Sequence, residues 1–372
     1  MLTLAYIIGN FGIFYINATI NTFFLVMFEE MGVYNPAVFM GVGWIVGAAL
    51  EPFIGIISDR YIKIGRKLFV LVGTILCLIA LSLLYQEKGH IILNILMFYY
   101  GFHIYQIPLG ALIPDQINKG RLQKISGLWN LSGALGSIAA PLFGVFLLRY
   151  GYNYIYIGLL IVIMFTTTIP LLLVKESKHI DYRYSIRKVI TDYVSNKVIR
   201  DFYTAKFLWW MGLGCYLPFI VNNLIERGLT ESVSGIVFTS FMIVNCVSLI
   251  FLSRFKIKDF NAVLSYAIIS FGLCTMIMYL NISINIMILL VLITGMMYGI
   301  IMLCSYEIMV EMIPQGEGGM YLGIDNVFLN IPQALSAFLV STTFDVNSKL
   351  FLAFTSFFMS LSYIYIMRGW DN

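Results

Sequence analysis

The chain has 372 residues, of which 60% are hydrophobic and only 11% are charged, and its mean hydropathy is +0.88. Soluble domains contain about 45–50% apolar and about 25% charged residues, so this composition excludes an ordinary soluble protein. The net charge of +4 is small and reflects the basic loops described below, so we expect no nucleic-acid partner. The expected environment is the lipid bilayer.

Twelve apolar blocks follow one another along the sequence, each close to the length of about 20 residues that a membrane-spanning helix needs. None has the alternating pattern of a transmembrane β-barrel. We therefore predict an all-α integral membrane protein with twelve transmembrane helices. The predicted spans, numbered 1 to 12, are 4–28, 36–58, 68–85, 91–113, 124–148, 153–174, 202–224, 232–253, 260–280, 284–311, 319–343 and 350–367.

Lysine and arginine concentrate in the loops after spans 2, 4, 6 and 8 and in the C-terminal tail. Cytoplasmic loops carry such an excess, so we predict a multi-pass protein of the plasma membrane with both termini in the cytoplasm. The five cysteines all lie within predicted spans and form no CxxC pair. This pattern favours neither disulfides nor a zinc site, and we expect no metal and no cofactor.

The only long polar stretch, 175–201, divides the sequence into two halves. We predict an N-terminal six-helix bundle at 1–174, a cytosolic linker at 175–201 and a C-terminal six-helix bundle at 202–372. The halves share short patterns: ALIP at 111–114 matches EMIP at 311–314, and GLWN at 127–130 matches GIDN at 323–326. Repeats of this kind are typical of secondary transporters.

The segment 51–67, EPFIGIISDRYIKIGRK, crosses the end of predicted span 2 and the loop that follows. A carboxylate at Asp59 suits the positive end of a neighbouring helix, and the basic residues anchor the loop in the cytosol. A simple positive-inside loop would have the same charges. As gating residues from this segment we propose Asp59, Arg60, Gly65, Arg66 and Lys67.

This segment resembles the loop between helices 2 and 3 of the major facilitator superfamily, which carries a D-R-x-G-R-K pattern. The longer spacing from Arg60 to Gly65 is similar to that of the sucrose- and melibiose-type (glycoside-pentoside-hexuronide) sugar:cation symporters. Segments 106–115 and 321–333 are similar to the helix-4 exit and helix 11 of those carriers. The arginine that plant sucrose carriers place in the helix-4 motif is Gly110 here, so the resemblance implies no particular sugar.

The resemblance implies two pseudo-symmetric six-helix bundles, the major facilitator fold, with helices 1, 4, 7 and 10 lining the transport cavity. It also implies that helix 2 faces helix 11. Glu51 and Asp325 would then enter from the same side, each about eight residues or about 12 Å deep. A bound proton or sodium ion would relieve their repulsion, so both are candidates for cation coupling. Alternatively, each carboxylate bonds a different local donor.

The other charged residues near the predicted spans have simpler interpretations. Lys206 lies a few residues from the cytosolic end of span 7, and we interpret it as a lysine that extends its amine to the membrane surface. Glu307 and Glu311 lie at the exit of span 10, and we interpret them as gating or capping groups. No arginine lies inside a span, which disfavours phosphate and dicarboxylate substrates.

Uncharged polar and aromatic residues recur at helical spacing in several spans, a pattern that favours a neutral polyhydroxy solute. Contacts between helices would use the same residues, and His103 could equally be a buried neutral imidazole with one hydrogen bond. The candidate solute-binding residues are Asn10, Asn17, Asn21, His103, Gln106, Asn130, Trp209, Tyr216, Asn326, Asn330 and Gln333.

The sequence therefore favours a monomeric transporter, and not an enzyme, that moves a small neutral solute such as a sugar by cation symport. Proton-coupled efflux of amphipathic compounds is the alternative within transporters, because 19 methionines and 29 phenylalanines could form an adaptable pocket. A polytopic membrane transferase would need catalytic motifs in its loops. A transporter-like sensor would need an output domain.

Overall fold

The computed structural model describes residues 2–60, 66–86, 90–111, 122–174, 191, 193, 195–252, 257–280, 282–312, 318–343 and 349–368. Of these residues, some are described by their backbone alone, without their side chains: 2–3, 55–56, 58–60, 110–111, 122–127, 129–130, 310–311 and 318–324. The chain forms two compact units, Met1–Arg183 and Tyr184–Asn372. The division lies within the stretch 175–201 that the sequence analysis assigned to the linker.

The described residues of the first unit form six long helices. Helix α1 begins as Leu2–Thr19, continues through a π-helical turn at Ile20–Phe24 and ends as Leu25–Glu30. The others are α2 (Pro36–Arg60), α3 (Arg66–Tyr85), α4 (Ile91–Ala111), α5 (Leu122–Leu148) and α6 (Asn153–Leu173).

Six long helices are also present in the part of the second unit that the structure describes. Helix α7 consists of Lys197–Tyr216 and, after a turn, Ile220–Glu226. The others are α8 (Glu231–Leu252), α9 (Phe260–Tyr279), α10 (Ile284–Met312), α11 (Gly318–Thr343) and α12 (Leu350–Arg368). The predicted all-α fold with twelve helices is thus confirmed. Helix α7 begins within the predicted linker, because the Asn196 side chain accepts hydrogen bonds from the amides of Val198 and Ile199 and so caps the helix.

Apolar side chains and backbone hydrogen bonding within the helices suit these elements to lipid, which offers no partner for an exposed backbone amide. In the described part of the chain, ten helical segments are long and apolar enough to cross a membrane. The two other long helices, α4 and α11, carry several polar residues, among them His103, Gln106, Asp325 and Gln333. The polar side chains of α4 and α11 are therefore candidates for a role in function.

Both units use the same scheme of helix packing. In the first unit, α1 packs on α5 and α6, α4 packs on α2 and α3, and α3 packs on α6. In the second, α7 packs on α11 and α12, α10 packs on α8 and α9, and α9 packs on α12. Each pairing in one unit becomes a pairing in the other when six is added to both helix numbers. The weak sequence similarity between the halves therefore reflects a repeated structure.

The first helix of each unit is irregular at an equivalent place. The π-helical turn of α1 at Ile20–Phe24 coincides with hydroxyl groups of Thr19 and Thr22 that donate to carbonyls four residues earlier, which bends helices. The break in α7 contains Pro218, which lacks the amide that would continue the helix. GLWN and GIDN are 196 positions apart in the sequence. The same offset takes the π-helical turn of α1 to the interruption of α7 between Tyr216 and Ile220. Such interruptions are frequent at functional sites.

A close crossing of α3 and α4 fixes the position of α4 within the first unit. A Cβ atom at Gly73 would lie 2.6 Å from the Gly101 carbonyl oxygen, and one at Gly101 would lie 2.7 Å from that of Gly73. Only glycine permits this approach at both positions. The helix that carries His103 and Gln106 is therefore held rigidly against its neighbour.

Candidate functional site

Glu51 lies on α2 immediately before Pro52 and is only 2% exposed. A carboxyl group at this depth is costly unless hydrogen bonds or an opposite charge compensate for lost water. Its partners come from α4, the helix that packs on α2. His103 Nδ1 lies 2.7 Å from Glu51 Oε1, and Gln106 Nε2 donates to the same oxygen.

His103 is completely buried, at 0% exposed, and both of its ring nitrogens have partners on α2. Nε2 lies 3.1 Å from the Gly43 carbonyl oxygen, opposite the contact between Nδ1 and Glu51. Room for the ring comes from Gly47, where an added Cβ would lie 2.4 Å from His103 Cε1. The two glycines of α2, four residues apart, therefore position the imidazole.

The contact with Gly43 fixes the ring nitrogen that carries the hydrogen of a neutral His103. A carbonyl oxygen only accepts hydrogen bonds, so His103 Nε2 carries a hydrogen. If the imidazole is neutral, Nδ1 has a lone pair, and a direct hydrogen bond to Glu51 needs a proton on the carboxyl group. If Nδ1 is protonated, an imidazolium faces a carboxylate. In either case a direct Glu51–His103 hydrogen bond contains one proton, and the pair then has no net charge.

Gln106 lies one turn beyond His103 on α4 and completes a cluster of three side chains, which we call the acid–base cluster. Its Nε2 contacts Glu51 Oε1 and lies 2.9 Å from His103 Nδ1. The rings of Trp44 and Phe102 flank the imidazole, with centroids 6.4 Å and 5.3 Å from it. A proton-binding group is thus enclosed by apolar side chains, where binding or losing a proton changes the local charge strongly.

The second unit contains a different buried pair. Lys206 on α7 donates through Nζ to Asp325 Oδ1 on α11, and the two side chains are 5% and 13% exposed. The interpretation of Lys206 as a surface-seeking lysine is therefore wrong, because an anion on a neighbouring helix pairs with it inside the protein. The sequence did contain a signal for this pair, because a lysine inside a membrane span usually has a charged partner. Asp325 thus has a cationic partner within its own unit, and Glu51 has its own local partners.

Several of the candidate solute-binding residues make contacts between helices. Asn10 Nδ2 donates to Ser132 Oγ on α5 at 3.3 Å, and the hydroxyls of Tyr216 and Thr294 on α10 are 2.9 Å apart. Gln333 Nε2 donates to a carbonyl of its own helix. Sequence reasoning missed Ser132 and Thr294, because single hydroxyl residues in apolar helices give no distinctive pattern.

Other candidates keep polar atoms without a partner among the described residues. These atoms are Oδ1 of Asn17, Oδ1 of Asn21 in the π-helical turn, and Nε1 of the fully buried Trp209. On α11, Asn326 is half-buried and Asn330 is buried. The side chain of Asn130 lies outside the described residues.

Of the proposed gating residues, Lys67 has a defined contact. Its Nζ donates to the Leu171 carbonyl at 2.6 Å, near the C-terminal end of α6, where a cation is favourable. Arg66 and Glu307 are half-buried. The side chains of Asp59, Arg60 and Glu311 and the whole of Gly65 lie outside the described residues.

The fold and these buried polar pairs define a polytopic helical membrane protein. Residues 2–337 match the sequence profile of the Major Facilitator Superfamily. The chain belongs to this superfamily, and it is a transporter and not an enzyme. No curated protein matches the chain.

Two solved structures show how widely this fold is shared. The nucleoside transporter NupG, crystallised as a variant, superposes with a TM-score of 0.75 at 13% identity, over 99% of this chain and 100% of that one. The D-xylose-proton symporter superposes with a TM-score of 0.73 at 12% identity, over 98% of this chain and 96% of that one. At such low identity the likeness shows the fold alone.

Proposed function

We propose that this chain takes up a small neutral solute, a sugar or glycoside, by symport with protons. We further propose that it acts as a monomer in the plasma membrane with both termini in the cytoplasm. The observation that carries the proposal is the Glu51–His103 contact of 2.7 Å, a distance at which two buried side chains can share a proton. A transporter that binds a proton in one state and releases it in another can couple solute movement to a proton gradient.

The chemistry of the acid–base cluster favours a proton over a sodium ion. Hard cations prefer several oxygen ligands, whereas Glu51 Oε1 contacts two nitrogens, Nδ1 of His103 and Nε2 of Gln106. A histidine and a carboxylate are the groups that exchange protons near neutral pH. Sodium would have to displace both nitrogens before it could bind there.

The solute class follows from the polar atoms that lack partners. The Oδ1 atoms of Asn17 and Asn21 in the first unit accept hydrogen bonds, so a solute rich in hydroxyl groups could satisfy them. The buried cation Lys206 is already neutralised by Asp325, which leaves it poorly suited to hold an anionic solute. The likeness in fold to a nucleoside transporter and a D-xylose-proton symporter agrees with a hydroxyl-rich neutral solute. The subgroup of sucrose- and melibiose-type symporters remains our proposal for the chain's relatives.

A thermal-shift screen of the purified protein tests the solute and the ion together. The panel contains sugars, glycosides, nucleosides, amino acids and amphiphiles, each at acidic and alkaline pH with and without sodium. We expect a neutral polyhydroxy solute to raise the Tm, more strongly at acidic pH and equally with and without sodium. A ligand at 100 times its Kd adds about 2.7 kcal/mol of stability, which is readily measured.

Two results of this screen would contradict the proposal. Stabilisation by amphiphiles alone, weaker at acidic pH, would favour proton-coupled efflux, because proton and solute then compete. Stabilisation by a sugar only in the presence of sodium would remove the proton as the coupling ion.

A further inference from the structure

Gln106 occupies a position from which it contacts both members of the proton-binding pair. Its Nε2 donates to Glu51 Oε1 and lies 2.9 Å from His103 Nδ1. A carboxamide nitrogen carries two hydrogens, so one NH2 group can serve two acceptors at once. The number of acceptors that the pair offers depends on whether the proton is present.

With the proton bound, it joins Nδ1 to Oε1, and these two atoms satisfy one another. Without the proton, Glu51 is a carboxylate and His103, which keeps its Nε2 hydrogen for Gly43, presents a lone pair at Nδ1. Two electron-rich atoms then face each other at 2.7 Å, an arrangement that is repulsive unless a donor is shared between them. The two hydrogens on Gln106 Nε2 meet this requirement, one on each acceptor.

We propose that Gln106 couples proton binding to solute binding. The deprotonated cluster holds its amide on Glu51 and His103, and the bound proton releases the amide to donate to a hydroxyl of the solute. This inference rests on the proposed proton symport and makes Gln106 the residue that links the proton to the solute. Because the amide makes different contacts in the two protonation states, proton and solute each increase the affinity of the protein for the other.

Within the first unit, the acid–base cluster is the group whose change of charge with pH we expect to affect Gln106 most. In the described parts of α1 to α4, the other Asp, Glu, Lys and Arg residues lie at helix ends, at Glu29, Glu30, Asp59, Arg60, Arg66 and Lys67. Tyr99 lies against Gly43, and Tyr105 and Cys77 lie at the crossing of α3 and α4; all three are buried and uncharged when protonated.

The test is the pH dependence of solute affinity in Gln106→Leu, measured with the sugar or glycoside that stabilises the wild type most. We expect wild-type affinity to rise by about 5-fold to 150-fold from alkaline to acidic pH, the usual range of coupling between two sites. Gln106→Leu should bind weakly at every pH, with no slope, since the amide is absent in both states. Gln86→Leu is the matched control, because the same substitution falls on an exposed residue just after α3, outside the acid–base cluster, and should leave the slope intact.

Proton uptake on solute binding gives a second readout in detergent solution with weak buffer. By reciprocity the wild type should take up protons when solute is added, and Gln106→Leu should not. Gln106→Met, which is closer in shape to glutamine, replaces the leucine variant if that variant is not recovered as folded protein. A wild-type pH slope in either variant would overturn the role of Gln106. A wild type with neither slope nor proton uptake would instead refute the proposed symport itself.

Discussion

Glu51→Gln should abolish uphill accumulation of the solute while solute exchange across the membrane continues. The amide of glutamine donates to His103 Nδ1 permanently, so the variant imitates the protonated cluster and cannot release the proton. In the wild type, symport with one proton should build about a tenfold solute gradient per pH unit, since 1.4 kcal/mol corresponds to a tenfold ratio. The variant should reach no more than equal concentrations on both sides.

The measurement uses liposomes with an alkaline interior and follows labelled solute, with counterflow as the assay of exchange. Asp201→Asn is a suitable control, because it removes another buried carboxylate that lies outside the acid–base cluster, and it should keep uphill uptake. Uphill accumulation by Glu51→Gln at the wild-type level would exclude Glu51 from coupling. Loss of both uptake and exchange in a folded protein would give Glu51 a role in solute movement that our account does not contain.

Lys206→Met and Asp325→Asn, made singly, should each destabilise the protein strongly. Each leaves one buried charge without its partner, and breaking a buried ion pair in this way typically costs about 3–5 kcal/mol. The double variant Lys206→Met/Asp325→Asn removes both charges and should recover most of the lost stability. Thermal unfolding of the wild type, both single variants and the double variant forms a double-mutant cycle that isolates the pair.

The same variants decide whether Asp325 takes part in coupling, as the sequence analysis proposed. If the ion pair is structural, the double variant should accumulate solute uphill as the wild type does. Asp325→Asn with normal stability but without uphill uptake would restore Asp325 as a coupling residue. Single variants as stable as the wild type would show that the pair contributes little to the packing of α7 on α11.

The helices and their repeat were predictable because both depend on local features of the sequence. Apolar blocks of membrane-spanning length mark the helices, and the paired patterns at 111–114 and 311–314 indicate that the halves are related. The start of α7 was harder to predict, since its cap at Asn196 follows a stretch so polar that it resembles a linker. Boundaries set by a single capping side chain are easily missed within a charged segment.

The partners of the charged residues were less predictable, because they depend on how helices pack. Glu51 and His103 are 52 positions apart, and they meet only because Gly43 and Gly47 allow α2 to approach α4. Lys206 was misjudged because its depth was estimated along its own helix, whereas Asp325, 119 positions away, determines its environment. Individual polar residues could be nominated from the sequence, but not the pairs that they form.

Proton movement driven by the solute alone tests the central claim most directly. Liposomes containing the wild-type protein, with no initial pH gradient and no sodium, receive the stabilising sugar or glycoside outside while the external pH is recorded. Proton symport predicts that the external medium becomes alkaline as solute and protons enter together, and that liposomes with Glu51→Gln show no change. Solute entry without alkalinisation, or acidification of the medium, would contradict proton symport through Glu51 and His103.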